Sequence, residues 1–266
     1  MLKITSRENQ RIIRARKVRD SLVKDAIFVE GVRLAKEVVR SNLKISDVFF
    51  TEDFANSERG QTFLQLLDFS NLAQIPDKIF DSLSATKNSQ GVILICEKPA
   101  TDKSFIEAKL SENKRFQLVV LLHQTNNPTN LGAILRTCEA ANVAGVILTK
   151  NSADAFSPKA LRGAMGASFR LPIWTDADFF EALDWAEEKN LVSICADVNA
   201  EKSYLDIDWK KPYLLIFGSE AHGLTQKEKE RVAESLIIPM ENGVESLNLA
   251  VSTGVILFEA KSQINC

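Results

Sequence analysis

Three polar loops, each following an apolar run, gather the residues able to do chemistry. After Gln117–His123 comes QTNNPTNLGAILR (residues 124–136), which holds Asn130 and, six residues on, Arg136. After Tyr213–Phe217 comes Gly218-Ser219-Glu220-Ala221-His222-Gly223-Leu224, a carboxylate between two glycines. After Leu236–Pro239 comes MENGVESLNL (residues 240–249), which carries Ser246 and Asn248 into a final apolar helix. No histidines and carboxylates at metal-ligand spacing accompany these residues, so the chemistry they suit is polar recognition and charge stabilisation without a metal. The first loop has one glycine, so it is neither a GxGxxG dinucleotide turn nor a Walker-A loop with its lysine. Each loop alone also reads blandly, with Asn130 as a helix cap, Arg136 on the surface and Gly218–Leu224 as a tight exposed turn. Three such loops at strand ends are harder to dismiss, because parallel sheets bind ligands at the carboxyl ends of their strands.

The elements that must hold these loops alternate through the second half of the chain. Strands are predicted over Gln117–His123, Gly145–Thr149, Leu171–Trp174, Leu191–Ala196, Tyr213–Phe217 and Leu236–Pro239. Helices are predicted over Asn130–Ala141, Ser157–Ala167, Asp178–Lys189, Gln226–Glu234 and Ser246–Lys261, with Ser246 as N-cap of the last and Asn248 in its first turn. Strand–helix alternation of this length means crossover connections, hence an α/β domain with a mostly parallel sheet and helices on both faces. The first hundred residues form a smaller α/β unit. Helices are expected at Gly31–Arg40, Gln61–Leu67 and Pro76–Leu83, and strands at Ile45–Thr51 and Gly91–Cys96. Polar, Pro-containing sequence separates the two blocks, so the division is 1–98, a linker over 99–115, and 116–266. At roughly 100–200 residues per domain, 266 residues accord with two.

Charge is uneven although 33 Lys and Arg nearly balance 35 Asp and Glu. Residues 1–24 hold eight basic side chains against Glu8 and Asp20, on a helix with Ile12, Ile13, Val18 and Leu22 as its apolar stripe. Its basic face, with Arg7, Arg11, Arg14 and Lys17, suits phosphate contacts to a nucleic acid, or is an ordinary solvated surface. Four separated cysteines (Cys96, Cys138, Cys195, Cys266) without a CxxC pair point to free thiols in a reducing compartment. No apolar run reaches the roughly 18 residues of a membrane span, and MLKITSRENQ has no apolar signal core. A cytoplasmic protein with no membrane partner is expected.

The three loops resemble the signature motifs of the SpoU (TrmH-like) branch of the SPOUT RNA methyltransferases. Motif one is similar to Asn130-Leu131-Gly132-Ala133-Ile134-Leu135-Arg136, and motif two to Phe217 through Leu224. Motif three is similar to Ile238-Pro239-Met240 with Glu245 through Ser252. Residues 1–97 resemble the family's small (L30e-like) substrate-binding domain, with a Val29-Glu30-Gly31 turn and a closing Gln90-Gly91 strand. His123 and Asn127 stand where many relatives carry aspartates.

The resemblance implies S-adenosylmethionine (S-adenosyl-L-methionine) as methyl donor and an RNA ribose 2′-hydroxyl as acceptor, in rRNA or alternatively tRNA. It also implies a trefoil knot in the C-terminal domain and a homodimer whose subunits complete each other's sites. Carried over by position, Gly218, Ile238 and Leu247 would line the cofactor. Arg136 would be catalytic, with Asn130, Glu220, Ser246 and Asn248 shaping the site. Transfer from a sulfonium to an alcohol needs no metal, only removal of the hydroxyl proton as the bond forms. Arg136 then serves as a cation for the developing oxyanion, or as the phosphate-assisted base that the family suggests. A non-catalytic RNA-binding protein of this build would be expected to have lost part of the motif set. A Rossmann-type enzyme needs the missing glycine-rich turn.

Overall fold

Caps and hydrophobic period divide the chain into short elements, and the computed structural model describes residues 2–67 and 69–265. First come β1 (Leu2–Lys3), α1 (Gln10–Arg19), β2 (Ala26–Glu30), α2 (Val32–Arg40) and β3 (Ile45–Phe50). Next are α3 (Glu52–Asn56), α4 (Glu58–Leu64), β4 (Leu72–Gln74), α5 (Asp77–Leu83), β5 (Val92–Glu97) and α6 (Lys103–Glu112). The chain continues through β6 (Leu118–Leu122), α7 (Pro128–Ala141), β7 (Gly145–Thr149), α8 (Pro158–Ala164), α9 (Ala167–Arg170) and β8 (Ile173–Ala177). It closes with α10 (Phe179–Glu188), β9 (Val192–Ala196), β10 (Tyr213–Phe217), α11 (Gln226–Lys229), β11 (Glu234–Leu236) and α12 (Leu249–Asn265). These form two compact units. One is the first 100 residues with Ala155–Phe169, and the other is Thr101–Asp154 with the chain from Arg170 onward.

The first unit is a mixed sheet in the order β1-β4-β3-β5-β2. The outer strand β2 and the inner strand β3 both run antiparallel to β5, while β1 and β3 run parallel to β4. Asn9 caps α1 by accepting from the Arg11 N–H, and Ile12, Ala15 and Val18 bury with Phe28, Phe49, Ile79 and Phe80. The helix expected over Gln61–Leu67 starts earlier, as α4, because Ser57 caps it by accepting from Gly60 N. Two- and three-residue strands such as β1 and β4 are too short to show a period, and they go unread in the sequence.

The second unit is a wholly parallel sheet in the order β11-β9-β10-β6-β7-β8. Both central strands, β6 and β10, are buried along their whole length, as a sheet covered on two faces requires. On one face Val119, Leu121, Leu214 and Ile216 pack with Ile106, Leu183 and Trp185 of α6 and α10. Residues 99–115, expected as linker, therefore contain α6, whose Asp102 cap and two inward apolar residues are a weak pattern within polar sequence. Ala155–Phe169, expected within the second block, clusters with the first unit.

Three further boundaries differ from expectation. β8 begins after Pro172, whose carbonyl accepts from Val146 N. α11 stops at Lys229, where its capping box with Thr225 and Glu228 holds a single turn before the chain enters β11. β11 ends at Leu236, ahead of Pro239, which has no N–H for a ladder.

Candidate active site

β6 connects to β7 on one side of the sheet, and β10 lies against β6 on the other, so the crevice between their carboxyl ends is a topological switch point. A cavity of about 830 Å³ opens there, lined by the loops after β6, β9 and β10 and by the segment from Leu236 to Ser252. Asn127 caps α7 by accepting from Thr129 N, with Pro128 at the first helical position. Asn130 is thus not the cap. It sits in the first turn with its amide on the cavity wall.

Asn130 joins the three loops. Its Nδ2 donates to Glu220 Oε1 at 2.6 Å, and its Oδ1 accepts from Asn248 Nδ2 at 3.2 Å. Glu220 Oε2 also accepts from the Asn126 backbone N–H at 3.2 Å. One carboxylate therefore fixes both the amide orientation of Asn130 and the backbone of the first loop. In the other direction the Asn248 Oδ1 accepts from Ala250 N, so Asn248 caps α12. Ser246, expected as that cap, lies two residues before it and lines the cavity instead.

The Gly218–Leu224 loop folds back on itself, with Ser219 and Gly223 exchanging both backbone hydrogen bonds at 3.1 and 2.9 Å. That closure brings Gly218 against the return strand, where an added methyl would stand 2.7 Å from the Gly223 oxygen. Gly223 itself has φ of 64°, the left-handed region that glycine enters without penalty. Ile238 and Leu247, expected against the cofactor, stand on the cavity wall. Sequence reasoning missed the loop after β9, whose Asp197 forms an ion pair with Lys229 on the same wall. Hydrogen bonds and Lys229 hold the Asp197 carboxyl below its usual range against the opposing effect of burial. The signal was thin, a single Asp after a predicted strand.

The lining suits S-adenosylmethionine. Gly218 and Ile238 bring main chain and an aliphatic side chain to the wall, Glu220 and Glu245 oppose a sulfonium charge, and the forbidden methyl at Gly218 keeps backbone exposed. Arg136 is not in this lining. It is exposed on α7 and makes no ion pair or hydrogen bond among the described residues. Large apolar side chains stand exposed on the last loop and on α12. They are Val244 and Leu247 of the last loop, and Val251 and Phe258 two turns apart on one face of α12.

His123, at the end of β6, is buried, with its ring edge-on to Phe179 at 4.8 Å. Burial pulls its pKa below the ordinary histidine value, and Glu228 opposes that. Burial also raises the thiols of Cys96, Cys138 and Cys195, the last to about 11, and all three are free. Cys266 lies outside the described residues. No helix among the described residues is long and apolar enough to cross a membrane, and no group of three metal-ligating side chains is present among them.

In the first unit Arg7 and the arginines of α1 hydrogen-bond within the unit while staying at least partly exposed. Arg11 pairs through Nε with Asp47, which is 7% exposed, and donates to the Asn71 carbonyl at 2.9 Å. Arg14 reaches Asp47 Oδ2 at 3.3 Å and Ser46 Oγ at 3.0 Å, and Arg7 donates to the Lys78 carbonyl. Lys17 is exposed with no partner among the described residues.

Comparison with known proteins accords with this geometry. The sequence model of the SpoU rRNA Methylase family matches residues 117–258, and that of the MRM3-like substrate binding domain matches residues 9–94. The chain is 31% identical over 184 residues to the 23S rRNA (guanosine-2'-O-)-methyltransferase RlmB of Coxiella burnetii, covering 69% of this chain and 73% of that one. It is 27% identical over 241 residues to the 23S rRNA (uridine(2479)-2'-O)-methyltransferase of Streptomyces viridochromogenes, covering 89% and 82%. The AdoMet-bound rRNA methyltransferase from Sinorhizobium meliloti superposes with a TM-score of 0.80 at 25% identity, covering 98% of this chain and 97% of that one.

Proposed function

The chain belongs to the SpoU rRNA methylase family and is an S-adenosylmethionine-dependent RNA 2′-O-methyltransferase, and we propose that it methylates a ribose of the large ribosomal RNA. The observation that carries this reading is the Glu220–Asn130–Asn248 chain of hydrogen bonds, which ties all three motif loops around one cavity. Bound there, the cofactor supplies an electrophilic methyl group on a sulfonium. The Gly218 backbone, Ile238 and Leu247 hold it by main-chain contact and apolar packing. Asn130, aligned by Glu220, and Asn248 orient the ribose end of the acceptor, with Ser246 beside them on the wall. Arg136 stabilises the oxygen as its proton passes to solvent water and the methyl–oxygen bond forms, a role that a planar cation fills by charge and fixed donors.

Arg136 serves the cavity of a second copy. The support is twofold: it stands exposed and unpaired on α7, and Val244 and Leu247 in the last motif loop and Val251 and Phe258 on α12 leave large apolar side chains exposed for a partner subunit to cover. The first unit, with Lys17 outermost on α1, binds the RNA. The division of labour assigns the first unit to RNA and the second, which includes α6, to methyl transfer. We take the last segment to be knotted, as the family implies. Supporting this, Ile237 bonds to Lys202 and Tyr204 before the chain returns to pack α12 on α7. The buried free thiols fit a cytoplasmic setting.

The test is transfer of labelled methyl from S-adenosylmethionine to 23S rRNA, 16S rRNA and tRNA in parallel, followed by nuclease digestion and nucleoside analysis. Label on a ribose of 23S rRNA is expected. Label on tRNA alone would move the substrate, and label on a base would overturn the reaction.

A further inference from the structure

His123 lies at the junction of three segments that the cavity depends on. Its backbone N–H donates to the Phe217 carbonyl at 2.9 Å, immediately before Gly218. Its Nδ1 lies 3.2 Å from Thr149 Oγ1 at the end of β7, and its Nε2 lies 3.2 Å from Glu228 Oε1 on α11. Thr149 Oγ1 also accepts from the Gln124 N–H at 3.0 Å. Gln124 has φ of 50°, a left-handed conformation that a residue with a side chain keeps only when its surroundings hold it. It opens the loop that presents Asn126 to Glu220 and Asn130 to the cavity.

We propose that His123 is a positioning residue for the methyl transfer: a neutral imidazole, protonated on Nε2, that braces the first motif loop against the helix following the second. The proposal rests on the methyltransferase reading above. Hydrogen-bond bookkeeping assigns the tautomer. The Glu228 carboxylate can only accept, so Nε2 carries the hydrogen that donates to it, and Nδ1 of the neutral ring is left to accept from the Thr149 hydroxyl, whose oxygen takes the Gln124 N–H. Glu228 keeps its second oxygen for the Thr225 N–H at 2.7 Å, which caps α11. Every donor in this chain has an acceptor.

A proton on Nδ1 breaks the pattern. Two N–H groups, from His123 and Gln124, would then face the single Thr149 oxygen. The Thr149 hydrogen would have to turn to the Lys150 carbonyl, at 3.5 Å the edge of hydrogen-bond range. Glu228 on α11 favours the cation. Lys150 after β7 and Asp178 at the cap of α10 pair with each other at 3.7 Å, and Phe179 presents only its ring. Burial outweighs Glu228, so the imidazole is neutral at pH 7 and gains its proton below the ordinary histidine range. Transfer is therefore expected to fall on the acid side as the brace loosens.

The experiment combines three readouts on the full chain. Nitrogen-15 NMR of the His123 ring is expected to show Nε2–H at pH 7 and to titrate with the acid limb of kcat. His123→Ala is expected to lower kcat roughly 10- to 100-fold by displacing the loop. Its S-adenosylmethionine affinity, by calorimetry, should stay within a few-fold. His123→Gln keeps a donor toward Glu228 and cannot be protonated, so it is expected to restore most of kcat and abolish the acid limb. An Nδ1–H tautomer, an unchanged acid limb in His123→Gln, or wild-type kcat in His123→Ala would each overturn the brace. If His123→Ala does not fold, the tautomer and the His123→Gln profile decide. If the unaltered protein methylates no RNA, the methyltransferase reading fails on its own, and the NMR tautomer still decides the brace.

Discussion

Arg136→Ala is expected to abolish methyl transfer while leaving fold and cofactor binding nearly intact. The magnitudes follow from where the side chain stands. It is exposed and has no ion pair or hydrogen bond among the described residues, so its loss should change stability by no more than about 0.5 kcal/mol. It is absent from the cavity lining, so calorimetric affinity for S-adenosylmethionine should stay within about threefold. Asn130 and Arg136 are six residues apart on α7, which sets them about 9 Å apart along the axis and about 120° around it. Asn130 lines the cavity, and Arg136 stands exposed outside that lining. Loss of one preorganised charge-stabilising donor lowers kcat by about 10²–10³. The decisive assay mixes two inactive variants, Arg136→Ala with an intact cavity and Gly218→Val with an intact arginine. If Arg136 acts across the interface, a mixed dimer has one complete site. Random reassortment makes about half the dimers mixed, and about a quarter of the wild-type rate returns. No recovery from a mixture shown to exchange subunits would refute the reasoning, as would a more than tenfold loss of cofactor affinity in Arg136→Ala.

The remaining predictions concern the cavity floor and the basic helix. Gly218→Ala places a methyl 2.7 Å from the Gly223 oxygen, so the turn must open, and S-adenosylmethionine affinity measured by calorimetry is expected to fall roughly tenfold. Arg11→Ala leaves the Asp47 carboxylate with Arg14 and Ser46 alone and removes the guanidinium over the Phe49 ring. Because Arg11 is partly exposed, the cost is about 2 kcal/mol and not the full penalty of a stranded buried charge, readable by urea titration of the intact chain. Lys17→Ala, by contrast, should leave stability unchanged and lower the salt slope of RNA binding by about one, which filter binding across salt concentrations would show.

Much of this protein is legible in the sequence because its information is local. The alternation of apolar runs and helices marks a parallel sheet, since period and loop length are properties of neighbouring residues. Gly218 and Gly223 around a carboxylate announce a turn, and the three motif loops are visible at their strand ends. What the tertiary structure decided depends on partners far along the chain. Eight cations near the amino terminus read as a phosphate surface or an ordinary solvated one, and only the fold shows that Asp47, 36 residues beyond Arg11, pairs with Arg11 and Arg14. Ser246 looks like a helix cap, but Asn248 takes that role while also holding Asn130, 118 residues away. Asn130 and Arg136 lie six apart on one helix, and only the folded cavity shows that Asn130 lines it and Arg136 does not. His123 is a lone histidine in the sequence. Folding places Thr149 and Glu228 at its two nitrogens and makes it the member of a closed hydrogen-bond chain, because burial leaves each polar atom to find its partner within the protein.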